Sequence, residues 1–444
     1  MGHLPVSNYR WLSHEEISKI NWLNQSPTQS TGYLVECNLH VPSHLHSYFD
    51  QFPLAPEHFN PTFGQMSPFS QSSFCAVYGR SADRLDWNKG MGSKLCGTMY
   101  DKTYYATHYL NLKYYLEKGL VLLKVHRVLA FEQEPFLRDY VADATYERAN
   151  AKSKAQKNQK KVELNSLYGK SVEIGESHRI AKFVISPRLL NRYASDSRFD
   201  SFIVLGESCV IFYSKLKRLE LKKPTLIGFC VLEKSKLFMY RHYYDRILPA
   251  LNGNPCNIVF SDTDSFLIHC QNMSKLDFMR KMAPWSDYSN LPKSHPLHSD
   301  LNASIPGFFK DESDGSDILE VIATRSKQYI IRLRQTPYFI PGSKAIGTIS
   351  PPSAKSKGLP KAFSKHLKMG DFLKCFEGDG GQVHMVTSYG LQSHDYVMTL
   401  QEKKSLAICS YDNKAYLLRC KKHSVSYGNI YIKLYQDKCF VCEN

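Results

Sequence analysis

Phe260-Ser261-Asp262-Thr263-Asp264-Ser265-Phe266 places two carboxylates two residues apart between apolar runs. Ile258-Val259-Phe260 on one side and Phe266-Leu267-Ile268 on the other carry β-branched and aromatic residues, so the stretch predicts a strand–turn–strand. In a hairpin, positions i and i+2 lie on one side of the chain, so Asp262 and Asp264 can approach one cation. Hard carboxylate oxygens suit Mg²⁺, which keeps waters and takes one or two carboxylates together with substrate phosphates. Two like charges this close raise one pKa unless a cation sits beside them. The bland alternative is an Asp-capped turn, and this pattern alone does not choose between the two.

Upstream, residues 143–173 are dominated by Ala, Lys, Glu and Gln, which predicts helix. Within it stands Lys161-Val162-Glu163-Leu164-Asn165-Ser166-Leu167-Tyr168-Gly169-Lys170. On a helix, Lys161, Asn165 and Tyr168 share one face. A Lys can neutralise a triphosphate as a point charge, an aromatic one turn on can stack beside a base or sugar, and Gly169 leaves room for a close approach. Arg148 can face Lys161 if the segment folds back as two short antiparallel helices. Taken alone, a solvated amphipathic helix with a glycine cap is the stronger reading of these letters.

Elsewhere, Gly32-Tyr33-Leu34-Val35-Glu36 reads as a strand, Phe52 to Pro56 as an extended loop, Tyr104 to Lys118 as a helix closed by Gly119, and Leu120 to Phe131 as a strand. Lys234 to Leu251 reads as a helix ended by Gly253-Asn254-Pro255, and Ile318 to Arg334 as strand. The basic, Pro- and Ser-rich stretch Pro351 to Lys361 reads as a linker, and 362–444 as a small α+β unit. No internal repeat is found.

A length of 444 residues fits two to four domains. Lys and Arg number 57 against 41 Asp and Glu, a formal charge of +16. That surplus points to a polyanionic partner, nucleic acid before a membrane surface. No stretch approaches the roughly 20 apolar residues that span a bilayer. Met1-Gly2-His3-Leu4-Pro5 has no signal-peptide pattern, and Val6 does not suit a myristoylation site. Twelve scattered cysteines read as reduced thiols of an intracellular protein. Cys420-x-x-His423 and Cys439-x-x-Cys442 have ligand-like spacing for zinc, but unconnected thiols near a frayed terminus are the preferred expectation.

Taken together and in order, these letters resemble a known family. Lys161-x-x-x-Asn165-Ser166-x-Tyr168-Gly169 resembles motif B of family B DNA polymerases, Ser261-Asp262-Thr263-Asp264-Ser265 resembles their motif C, and Arg325-Ser326-Lys327-Gln328-Tyr329 resembles their Lys-x-Tyr motif. Leu4-Pro5 with Trp11, Gly32 to Glu36, His44-Leu45-His46, Pro53-Leu54-Ala55-Pro56-Glu57, His126-Arg127-Val128 with Phe131, Ser235-Lys236, His295-Pro296-Leu297 and Lys403-Lys404-Ser405-Leu406 with Asp412 extend the likeness over nearly the whole chain. They are similar to the protein-primed polymerases of Polinton (Maverick) elements and their viral relatives.

The resemblance implies an α+β fold with an antiparallel palm, short helical fingers and a thumb. It implies a palm remnant and terminal-protein-docking insertion over 1–130, fingers with motif B over 131–178, a second insertion or connection over 179–225, palm with motif C and the Lys-x-Tyr motif over 226–338, and thumb and tail over 339–444. Asp264 and Asp262 would bind two catalytic Mg²⁺ ions. Lys161 and Arg148 would hold the deoxynucleoside triphosphate, with Asn165, Tyr168 and Gly169 at the nascent base pair. Lys327, Tyr329 and Arg325 would contact primer–template DNA. The implied partners are DNA, deoxynucleoside triphosphates and a terminal protein, with no membrane. The implied location is the nucleus or the site of viral or transposon replication. Motif A and the exonuclease domain, which such enzymes carry earlier in the chain, are absent, so Met1 is expected to be an internal methionine of a longer ancestor. The chain alone is expected not to polymerise. The alternative is a catalytically dead, transposon-derived remnant that still grips DNA.

Overall fold

The expected strand at Gly32 forms and runs further, as Thr31–His40, with Val35, Cys37 and Leu39 buried at every second position. In this computed structural model the described residues are 2–78, 93–173, 178–206, 209–218, 222–335, 348–357, 359, 361–378, 381–382, 384–394, 397–412, 414–435, 438–439 and 442. Thr31–His40 lies in a four-stranded antiparallel sheet between Val121–Glu134 and Lys102–His108, and Leu4–Trp11 pairs with the far edge of Val121–Glu134. The helix read from Tyr104 starts later, at Tyr109–Glu117. The residues before it are claimed by the sheet, because Lys102 to His108 pair with Leu34 to Leu39. His108 then caps the helix by accepting from the Leu110 N–H at 3.3 Å. Gly119, at φ +99°, closes it as expected.

The face of this helix that carries Tyr109, Leu112 and Tyr115 is fully buried. Against it and the sheet packs a second wall, made from residues 232–242 of the helix Thr225–His242, a π-helical turn Tyr243–Ile247, and Leu248–Leu251. From that wall, Tyr240, Tyr243, Tyr244 and Ile247 enter one continuous core with Phe49, Leu39 and Val128. Glu233, 1% exposed, bolts wall to sheet. Its carboxylate accepts from Thr107 Oγ1 at 2.8 Å, the His108 N–H at 3.3 Å and Lys236 Nζ at 2.7 Å. The predicted stop after Leu251 is present, with Asn252 and Gly253 both at positive φ.

The chain forms two compact units, Met1–Asn150 with Leu232–His384 and Leu406–Asn444, and Ala151–Val231 with Met385–Ser405. The first also holds the hairpin Cys256–Asp262/Ser265–Cys270 and a sheet in which Gln328–Gln335 pairs with Asp317–Arg325, Thr348–Ile349 and Ser353–Ser356. The stretch expected as a linker thus contributes a strand. Pro351 and Pro352 cannot donate to a ladder and stay outside it, while Ser353–Ser356 pairs with Gln328 to Ile331. Leu406–Asn444 is not a separate tail unit either. Asp50 accepts from the Ser426 N–H at 3.0 Å and Asn429 Nδ2 at 2.6 Å, and the Met99 N–H donates to the Tyr427 carbonyl at 2.7 Å.

The second unit carries the helix Lys154–Ser171, a three-stranded antiparallel sheet with Cys209–Lys215 between Arg179–Val184 and Phe199–Gly206, and the helix Pro187–Ala194. Val184 and Phe212 are its buried apolar centre. The whole is α+β, as expected. Among the described residues, no helix is long and apolar enough to cross a membrane.

Breaking a buried charged network by removing one partner costs about 3–5 kcal/mol. Glu233→Ala is therefore expected to lower the unfolding free energy by about 3 kcal/mol, read from the denaturant midpoint at constant slope. Glu15→Ala, in an exposed i,i+4 pair with Lys19, is the control and should change little.

Candidate functional site

The acidic hairpin is backed by the main core through one face. Ile258, Phe266 and Ile268 pack on that core, and the Phe266 ring meets Phe52 and Tyr243 at 5.1 and 5.8 Å. Ile258 pairs with Ile268, but Phe260 pairs with Leu267, so the register slips at Val259. The bulge reverses which side the following residues take. Without it, Phe260 and Asp262 would share the core face of Ile258; with it, they share the opposite face with Leu267.

The turn is tight. Thr263 sits at φ +57°, an uncommon conformation for a β-branched residue, and the Asp264 N–H returns to the Asp262 carbonyl at 2.6 Å. Asp264 is exposed in this turn, and Asp262 is half-buried at the strand end. Strand alternation therefore does not carry through to Asp264 as the sequence reading supposed, since the γ-turn sets its direction. Thr263 Oγ1 donates to Asp262 Oδ1 at 3.2 Å.

On the face freed by the bulge lies the second turn. Lys327, at φ +59° between Asp317–Arg325 and Gln328–Gln335, reaches Asp262 Oδ1 with its ammonium. The Tyr329 ring stacks on Phe260 with centroids 4.3 Å apart and 25° between planes. Burial, with the Glu312 and Asp262 carboxylates adding to it, raises the Tyr329 phenol and keeps it a neutral donor. Two motifs some sixty residues apart in the chain thus meet side chain to side chain.

Residues without an assigned role hold that turn in place. Gln328 is 1% exposed; its Oε1 accepts from Thr324 Oγ1 at 2.8 Å and the Cys409 N–H at 3.1 Å, and its Nε2 donates to Ser356 Oγ at 2.9 Å. Asp412 accepts from the Ser326 N–H at 3.3 Å. Nothing in the local sequence marks Gln328 as buried, because two of its three partners, Ser356 and Cys409, come from distant segments. Arg325 ends the first strand, paired with Gln328.

The Lys161 segment lies in the second unit. Ser153 caps Lys154–Ser171 by accepting from the Gln156 N–H at 3.2 Å. Lys161, Asn165, Tyr168 and Gly169 all lie exposed on it. Arg148 is in the last turn of a separate helix, Arg138–Ala149, where a cation is favoured by the helix dipole. A Cβ built on Gly169 would have nothing within 4 Å, whereas one on Gly228 would strike Val172 Cγ1 at 2.2 Å and Ser171 Oγ at 2.6 Å. Gly228 is thus the packing glycine, and among the described residues no neighbour requires Gly169.

The Asp262–Asp264 turn offers hard oxygen donors at a half-exposed edge, a set that fits Mg²⁺ held jointly with phosphate oxygens and water. Among the described residues, no third carboxylate gathers with these two. Asp262 is shared with Lys327, so a divalent ion on that oxygen must displace the ammonium.

No protein-family model and no curated protein matches the sequence. Among solved structures, the chain is similar to Phi29 DNA polymerase in its orthorhombic crystal form, at 14% identity and TM-score 0.50, over 91% of this chain and 55% of that one. It is also similar to Phi29 DNA polymerase complexed with primer-template DNA, at 14% identity and TM-score 0.48, over 91% of this chain and 54% of that one. The chain spans about half the length of these polymerases, and the first likeness shows a shared fold.

Two glycine substitutions separate a packed glycine from an open one. Gly169→Ala should leave the melting temperature unchanged or raise it, since Ala is favoured over Gly in a helix by up to about 1 kcal/mol. Gly228→Ala should destabilise by about 1–3 kcal/mol through overpacking. Thermal melts of the two variants check both.

Proposed function

We propose that this chain is the polymerising portion of a DNA-directed DNA polymerase of the protein-primed family B kind, of the Polinton type. The observation that carries the reading is the convergence of Lys327 and Tyr329 on Asp262 and Phe260. The shared fold and the charge of +16 support it.

In this reading the reaction is nucleotidyl transfer, in which a primer hydroxyl attacks the α-phosphate of a deoxynucleoside triphosphate and pyrophosphate leaves. Asp264 and Asp262 would hold Mg²⁺, two ions in the complete enzyme. When bound with the substrate, those ions stabilise charge developing on the phosphates. Lys161 and Arg148 bind the triphosphate as cations. Asn165 and Tyr168 line the nascent base pair, and Gly169 gives it room, which accounts for a helical glycine that no neighbour among the described residues requires. Lys327, Tyr329 and Arg325 hold the primer end, and Lys327 neutralises Asp262. The palm comprises 226–338 with the remnant in 1–130, the fingers 131–178, the connection 179–225, and the thumb and tail 339–444. The insertion within 1–130 docks a terminal protein that supplies the first hydroxyl. The site of action is intracellular, where viral or transposon DNA replicates.

A two-metal site takes carboxylates from more than one strand. The pairing of Asp262 with Lys327, and the lack of a third carboxylate beside it among the described residues, favour a second reading, a remnant that binds DNA without catalysis.

Both readings predict salt-dependent binding of primer–template DNA, with Lys327→Ala lowering the log–log salt slope by about one. Neither predicts primer extension by the isolated chain with Mg²⁺. They part on nucleotide dependence. For a polymerase site, the templated deoxynucleoside triphosphate with Mg²⁺ should tighten the DNA complex by about tenfold, 1.4 kcal/mol. A mismatched one should not, and Asp264→Asn or Gly169→Ala should remove the effect. Binding that ignores the nucleotide selects the remnant, and binding that ignores salt removes both.

A further inference from the structure

The last described turns of the chain bring together four side chains that neither the fold nor the proposed chemistry uses. Cys420, His423, Cys439 and Cys442 point one potential ligand atom each into a space where all four atoms lie within 4.8 Å of one another. His423 Nδ1 is 3.5 Å from Cys420 Sγ, 3.4 Å from Cys439 Sγ and 3.5 Å from Cys442 Sγ. For a tetrahedral zinc ion, with Zn–S about 2.3 Å and Zn–N about 2.0–2.1 Å, the nitrogen-to-sulfur edge is about 3.6 Å. Three independent edges therefore match a zinc tetrahedron.

We propose that Cys420, His423, Cys439 and Cys442 form a structural zinc site. The local build supports it. The first pair sits on the tight hairpin Tyr416–Leu417/Ser424–Val425, where Lys421 takes φ +58° and turns Cys420 and His423 toward the same point. The Lys422 N–H points at Cys420 Sγ from 3.4 Å, the amide-to-sulfur contact that stabilises a thiolate ligand. The second pair is closed by a turn in which the Cys442 N–H donates to the Cys439 carbonyl at 3.2 Å. Cys439 is fully buried against Tyr416, Leu418, Val425 and Tyr427, so it enters from the core side, while Cys442 closes the site from solvent.

All four corners are protein ligands, which leaves no open position for substrate and makes the role structural. The site staples the end of the chain to the hairpin. That hairpin leads directly to Ser426 and Asn429, which hold Asp50, and to Tyr427, which holds Met99. The ion thus secures the joint between the C-terminal segment and the N-terminal sheet region of the first unit. This inference stands apart from the proposed polymerase reading.

The test uses the full chain purified without chelator. Elemental mass spectrometry should find one zinc per chain. Zn²⁺ replaced by Co²⁺ should give the intense visible bands of a tetrahedral ion and a thiolate-to-cobalt charge-transfer band. Cys442→Ala, at an exposed position that should not disturb folding, is expected to lose at least tenfold in zinc affinity, Cys442→His to retain the ion, and Cys209→Ser, in the other unit, to behave as the parent. Stripping the ion should lower the melting temperature of the parent by more than that of Cys442→Ala. Zinc-free parent protein that takes up no Co²⁺ overturns the site. So does a Cys439–Cys442 disulfide in freshly purified protein, or zinc held equally well by Cys442→Ala and the parent.

Discussion

The extra residue at Val259 is the constraint on which the rest of the candidate site depends. A hairpin that is half core and half open surface must bury one face and offer the other, and side chains alternate with a period of two. In Cys256–Asp262, unbroken alternation would send the Phe260 ring and the Asp262 carboxylate to the face that Ile258 gives to the core. A buried carboxylate without partners is costly. The register slip resolves the conflict. Ile258, Phe266 and Ile268 stay on the tyrosine-rich wall, while Phe260 and Asp262 turn to where Tyr329 and Lys327 stand.

The second turn is positioned from outside its own strands. Lys327 lies in the left-handed region and is held by the buried amide of Gln328, which gathers Thr324, Cys409 and Ser356 into one hydrogen-bonded group. Asp412 fixes the adjacent Ser326 backbone. The small core beneath, with Ile330, Phe372, Cys375 and Ile408, fixes the sheet that carries the turn. The Lys327–Asp262 pair at the surface contributes little to stability by itself, since both side chains are more than 40% exposed. Its importance is electrostatic and local, because it gives the carboxylate a counter-charge.

Polar groups tie the first unit together at two further places. Glu233 joins the long helix to the sheet edge, and Asp50 receives the C-terminal segment. Burial pushes the Asp50 carboxyl up to about 6, against the lowering effect of the Ser426 and Asn429 donors. A carboxyl raised above its unfolded value contributes stability at low pH that is lost as pH rises through the folded value. The docking of the C-terminal segment is therefore relieved of a charge below about pH 6, while His46 beside it works in the opposite sense. His46 Nδ1 accepts from the Ile430 N–H at 3.0 Å, and burial lowers its pKa, so it favours the neutral ring and weakens the joint as pH falls.

The sequence by itself determined the local elements and marked the residues of the candidate site. The acidic turn, the helix bearing Lys161, Asn165 and Tyr168, and the glycine stops at Gly119 and Gly253 were legible, because propensity, period and turn residues act over a few positions. Tertiary structure decided where those elements point. Lys102 to His108 became strand, since an open sheet edge outweighed helix periodicity, and Ser353 to Ser356 left the linker for the same reason. The bulge at Val259 left no mark in the alternation, because Phe260 is apolar on either face. Three of the cysteines read as unconnected thiols gather with His423 in one cluster, since spacing within Cys420-x-x-His423 and Cys439-x-x-Cys442 is local but the distance between the pairs is set by the fold. Short-range sterics write themselves into neighbouring letters, whereas contacts between distant segments depend on a shared core that no single stretch contains.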